Sequence, residues 1–132
     1  MKPITTAVLD LSSDLDTPLA SILLGEGMAP YIETQDTNAL YKALGHARID
    51  LVILYVDKPT AYTDSVQSFL GGLGIVSLRV RSLRDTDLVE VSSAGFPPLP
   101  SERCRTCNLG HVVLPWLRAF HLALAYPVKA AA

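Results

Sequence analysis

The chain is short of cysteine and of net charge, and its first residues lack a signal-peptide pattern, so a secreted disulfide scaffold, a general polyanion binder and export are not expected. Its two cysteines, Cys104 and Cys107, lie too close together to staple a secreted fold, so a reducing cytoplasm is the expected setting. Eleven basic against thirteen acidic residues leave a formal net charge of −2. Such a balance offers no general attraction for nucleic acid or an anionic membrane, and either partner would need a local patch. Met1 and Lys2 run straight into a short strand pattern without the apolar run and cleavage site of a signal peptide. No repeat, low-complexity linker or nucleotide-binding fingerprint occurs, and no cofactor is expected.

What is present is apolar residue: 49% of 132 residues is enough for one sizeable core and too little chain for two. A single domain over residues 1–128 with a tail at 129–132 is expected. Short apolar runs alternate with helical patterns, the signature of βα units and a doubly wound parallel sheet of about five strands. Strands are predicted at 6–11, 29–33, 51–56 and 75–80, with Leu51-Val52-Ile53-Leu54-Tyr55-Val56 as the central one. Thr17-Pro18 starts one helix, which Gly25 or Gly27 closes. Asp36 or Thr37 caps a second bearing Leu40, Ala43 and Leu44 and stopped by Gly45, and Thr63 caps a third that buries Val66, Phe69 and Leu70 before Gly71-Gly72. The region after the fourth strand is irregular: residues 86–92 fit a strand or a short helix, and three prolines between Gly95 and Pro100 force an extended connection. A last, strongly apolar helix runs from about Gly110 to Tyr126.

This order of elements resembles the response-regulator receiver family, whose flavodoxin-like sheet carries its chemistry at the carboxyl ends of the strands. An acidic pair ends the family's first strand, and Asp10-Leu11 stands there. Gly27 precedes the second strand. The family's phosphate-accepting aspartate ends an apolar third strand with a proline four residues on, and here those positions hold Tyr55 and Pro59. Arg79 falls where a threonine or serine normally ends the fourth strand, and no lysine occurs near Pro98 to Ser101. The resemblance covers roughly the first 100 residues. It implies a receiver-like fold with a degenerate phosphoacceptor pocket made of Asp10, Leu11, Tyr55, Asp57 and Arg79. An acyl phosphate needs a carboxylate nucleophile beside a Mg²⁺ held by oxygen ligands, and Tyr55 and Leu11 supply neither. Arg79 is then expected to pair with Asp10 or to fill the vacated position.

Other residues carry alternative readings. Arg79, Arg81 and Arg84 can grip an anionic ligand such as a cyclic dinucleotide, or form a solvated ion-pair surface with Asp85 and Asp87. Cys104, Cys107 and His111 have a spacing that can supply three zinc ligands, with His121 or a carboxylate as the fourth, and can equally be ordinary packing residues. Tyr55 as a catalytic tyrosine lacks a base. The last helix is apolar on nearly every side, so Val113, Trp116, Leu117, Phe120 and Leu124 are candidate interface residues, with a second copy as the simplest cover. Pro115, Arg118 and His121 interrupt a run already shorter than the ~20 residues a bilayer requires, so no membrane span is expected. The leading expectation is a non-enzymatic signalling module: a phosphorylation-independent pseudo-receiver that binds a protein partner and forms a homodimer. A nucleotide sensor and a zinc-stabilised interaction module are the alternatives.

Overall fold

The computed structural model describes residues 4–11, 30–56, 61–83 and 87–125. Among them a sheet of six strands forms, in the spatial order β2-β1-β3-β4-β5-β6. The strands are β1 (Thr6–Asp10), β2 (Ile32–Thr34), β3 (Leu51–Val56), β4 (Val76–Ser82), β5 (Leu88–Ala94) and β6 (Glu102–Arg105). The helices are α1 (Thr37–His46), α2 (Ala61–Gly72) and α3 (Leu109–Ala125).

The central strand is β3, and all six of its residues are buried. An apolar side chain at every position suits a strand covered on both faces. Register then divides the core. Ala7, Leu9, Val52 and Leu54 face Leu40 and Ala43 of α1 and Val66 and Leu70 of α2. Leu51, Ile53, Tyr55, Leu78, Val80, Val89 and Val91 face α3.

The expected all-parallel sheet is corrected beyond β4. The first four strands are parallel, but β5 and β6 run antiparallel, and β6 was not anticipated. A parallel neighbour needs a crossover of a dozen or more residues, whereas only residues 83–87 separate β4 from β5. Within the ambiguous 86–92 stretch, residues 88–92 are thus strand, because a short return makes them the antiparallel neighbour of β4. Strand pairing places Val89 and Val91 on the α3 side and Leu88, Glu90 and Ser92 on the other.

Local signals act in part as expected. Asp36 caps α1, its side chain accepting from the Asn38 backbone N–H at 3.0 Å. Gly45 does not stop that helix, which continues through His46. Thr63 lies inside α2 rather than at its cap, and Phe69 is exposed against Tyr41, with ring centroids 4.8 Å apart. The stop of α2 is a Schellman motif: Ile75 N–H donates to the Leu70 carbonyl at 2.9 Å, Gly74 N–H donates to Gly71 at 3.0 Å, and Gly74 has φ +76°. The predicted Thr17-Pro18 helix and the turn at Gly27 lie outside the described residues.

The proline-rich 95–101 connection is fastened by Ser93. Its hydroxyl donates to the Pro97 carbonyl at 3.0 Å and accepts from Leu99 N–H at 2.8 Å. Pro97 carbonyl also accepts from Trp116 Nε1 at 2.9 Å. Trp116 and Phe120 stack at 5.2 Å and are 5% and 1% exposed. Val113 and Leu117 are buried with them, so these four belong to the core and not to an interface. The physical reason is their spacing: Leu109, Val113, Trp116, Leu117 and Phe120 recur at i, i+4, i+7, i+8 and i+11 and make one stripe, and α3, the one described helix on this face, turns that stripe onto the sheet. Leu124, with Leu122, stays outward. Pro115 lies within α3 without ending it. Among the described residues no helix is long and apolar enough to cross a membrane.

Candidate functional site at the carboxyl ends of the strands

Parallel pairing sets Asp10 beside Tyr55 and Tyr55 beside Val80, so the three form one row directed toward α3. Asp10 and Tyr55 are each 5% exposed, and both are engaged by other groups. Leu11 N–H donates to the Tyr55 carbonyl at 2.8 Å, which carries the β1–β3 ladder one residue past Asp10. The phenol ring thus lies in the same row as the Asp10 carboxylate, on the α3 side of the sheet. A phenol there can seal the end of the core and offer one hydroxyl, but it cannot form an acyl phosphate. Asp57 lies outside the described residues.

Arg79 does not join this row. Its register partner is Leu54, one residue before Tyr55, so alternation sends it to the α1–α2 face, and β4 runs on through Ser82 beyond it. The expected pairing with Asp10 is therefore corrected. Arg79 Nη1 instead donates to Gln67 Oε1 at 3.3 Å and lies 3.6 Å from Asp64 Oδ1. Gln67 Nε2 donates onward to Ser77 Oγ at 3.2 Å, so a short polar ladder joins α2 to β4.

Arg81 shares that face, as strand alternation predicts, and its Nη1 lies 3.8 Å from Glu90 Oε1. Antiparallel pairing adds residues that the sequence did not reveal. Glu90 stands between Arg81 on β4 and Arg103 on β6, and Arg103 Nε donates to Glu90 Oε2 at 3.3 Å. Burial raises the Glu90 carboxyl, but hydrogen bonds from Arg103 and Ser101 and the charges of Arg103 and Arg81 outweigh it and hold it below its ordinary value. Arg105 follows on the same side, 4.0 Å from Asp87. No spacing rule brings residues 79–81 to 103–105; the unexpected sixth strand does. Arg84 lies outside the described residues.

The candidate zinc ligands are not gathered. Cys104 is half-buried on β6, while Cys107 in the 3₁₀ turn at 106–108 and His111 on α3 are exposed. Among the described residues no three histidine, cysteine or acidic side chains are grouped so as to hold a metal. Burial, then Glu102 and Cys107, push the Cys104 thiol up, favouring the protonated form over the ligating thiolate. A cleft of about 440 Å³ lies away from the Asp10 row, between Leu44, Ile49, Asp50, Ile75, Phe120 and Leu124.

No family model matches the chain, and no curated protein matches it. Among solved structures, a chain of the E. coli microcin synthetase McbBCD complex is similar over 98% of this chain at 12% identity, with a TM-score of 0.43. The alignment takes in 48% of that chain, so the present chain spans about half its length. A likeness at that level assigns neither family nor activity, and the site must be read from its own residues.

Proposed function

We propose that the chain is a non-enzymatic regulatory module of pseudo-receiver type, which acts independently of phosphorylation by binding a partner protein. The observation that carries this reading is Tyr55, buried at the carboxyl end of β3 in the same row as Asp10. The parallel run β2-β1-β3-β4 is compatible with this reading, whereas the antiparallel β5 and β6 depart from a five-strand parallel receiver sheet. The pocket lacks an acceptor carboxylate at Tyr55 and a second acidic side chain at Leu11, and Arg79 faces away from it.

The test is exposure of the intact chain to acetyl phosphate with Mg²⁺, and separately to beryllofluoride, followed by intact-mass and amide-resonance measurement. The expected result is no added phosphoryl group and no movement of resonances around Asp10 and Tyr55. A phosphorylated aspartate would overturn the reading. Tyr55→Asp restores an acceptor carboxylate but neither a second acidic side chain nor a lysine, and it is expected to remain unphosphorylated.

A further inference from the structure

Two arginines on β4 and two on β6 share one face of the sheet, across the intervening β5. Arg79 and Arg81 stand on the inner strand, Arg103 and Arg105 on the edge. Among the described residues no helix packs over β5 and β6 on this side, and Arg103 and Arg105 are 67% and 69% exposed. Side chains two residues apart on a strand are roughly 7 Å apart, and strands separated by one neighbour are roughly 10 Å apart. Arg103 and Arg105 thus lie on an open strip of sheet with the part-buried Arg81, 31% exposed, beside them, whereas Arg79, 22% exposed, is held beneath α2 by Gln67 and Asp64.

The carboxylates that serve them are few. Glu90 is the one acidic side chain within the sheet on this face, shared by Arg81 and Arg103. Asp64 and Asp87 sit at the margins, 67% and 70% exposed, at 3.6 and 4.0 Å from their arginines. Exposed pairs at such separations are screened and readily exchanged. Arg81 Nε is out of solvent without a hydrogen-bond partner. An arginine fork gains most from a planar carboxylate, and a flat surface favours an extended chain over a small nucleotide, which binds in concavities.

We propose that the open face of β5 and β6 is a docking surface for an acidic, extended segment of a partner protein, held by Arg103 and Arg105 with Arg81 at its inner margin. This rests on the interaction-module reading and names the chemistry of the partner. Carboxylates on alternate residues of the segment meet the arginine rows, and Glu90 keeps the unoccupied rows apart by neutralising their centre. The chain as a whole carries −2, so the attraction is local to this face and does not extend to polyanions in general.

The probe is a fluorescein-labelled peptide of alternating glutamate and serine, with a glutamine-serine peptide as its neutral control, titrated with the full chain by anisotropy. The acidic peptide is expected to bind and the neutral one not, with affinity falling as ionic strength rises past ~0.15 M. Arg103→Gln with Arg105→Gln, both on exposed side chains, should weaken binding roughly tenfold or more. Glu90→Gln should tighten it, because a competing carboxylate is gone. Arg48→Gln, on an exposed arginine outside this face, should leave it unchanged. Absence of acidic-peptide binding, equal loss in Arg48→Gln, or a single-stranded oligonucleotide that outcompetes the peptide would each overturn the proposal. Phosphorylation in the preceding experiment would end the pseudo-receiver reading while leaving this titration to be decided on its own result.

Discussion

Glu90 couples the fold to acidity because its carboxyl is held below its ordinary value in the folded chain. The sign follows from linkage: a carboxyl depressed on folding contributes stability fully above its unfolded value and loses it as pH falls through the folded one. Denaturant midpoints of the native chain are therefore expected to fall as pH drops below about 4.5, and those of Glu90→Gln to fall less steeply over the same window. Equal slopes would remove Glu90 from the acid response. Trp116 is the other residue whose role is sharply defined. It stacks on Phe120 and donates to the Pro97 carbonyl, so Trp116→Phe should cost about 1 kcal/mol through the lost hydrogen bond. Phe120→Ala should cost about 3–5 kcal/mol through the cavity it leaves. Trp116→Glu is expected to abolish the fold in circular dichroism, which separates a core position from an interface position; a folded protein of altered oligomeric state would restore the interface reading.

Element boundaries and element partners were unequally legible. The cap at Asp36, the central β3 and the existence of a last apolar helix follow from short-range pattern: a carboxylate placed before a 3.6-residue period, six consecutive apolar residues, a turn marked by glycine. Direction and partner of strands are long-range properties. The alternation in Leu88-Val89-Glu90-Val91 is the same in a parallel or an antiparallel strand, and Glu102–Arg105 is too short and too charged to announce itself. For that reason the Arg79–Asp10 pairing failed by one residue of register, and the Arg81–Glu90–Arg103 row could not be foreseen. Two glycines test how the connections are fixed. Gly74 has φ +76° with open space where a Cβ would go, so Gly74→Ala should cost about 1–2 kcal/mol from backbone conformation alone. Gly95 has φ +118°, and a Cβ there would meet Val76 Cγ2 at 3.0 Å. Gly95→Ala should therefore be the more destabilising of the two in thermal unfolding, and the reverse order would mean that the 95–101 connection yields easily.

At the scale of the whole molecule the sheet has two unlike halves. Parallel strands β1 to β4 are packed against α1 and α2 on one face, whereas β5 and β6 extend the sheet past those helices and leave that face polar. The class of fold was legible because alternating strand and helix periods admit few architectures; the extension was not, since nothing in its composition sets it apart from a loop. The position of β3 has a further consequence, for solubility during folding and storage. Leu51–Val56 is uncharged, free of proline and glycine, and rich in β-branched residues, the composition of a segment that stacks into cross-β fibrils. In the folded chain it has two strands on one side and three on the other. The outermost of these give little to template on: β2 has three residues, and β6 has four, three of them charged. Short, charged margins are how natural sheets resist edge-to-edge growth, so the sheet keeps its most fibril-prone sequence at its centre and its least adhesive sequence at its rim.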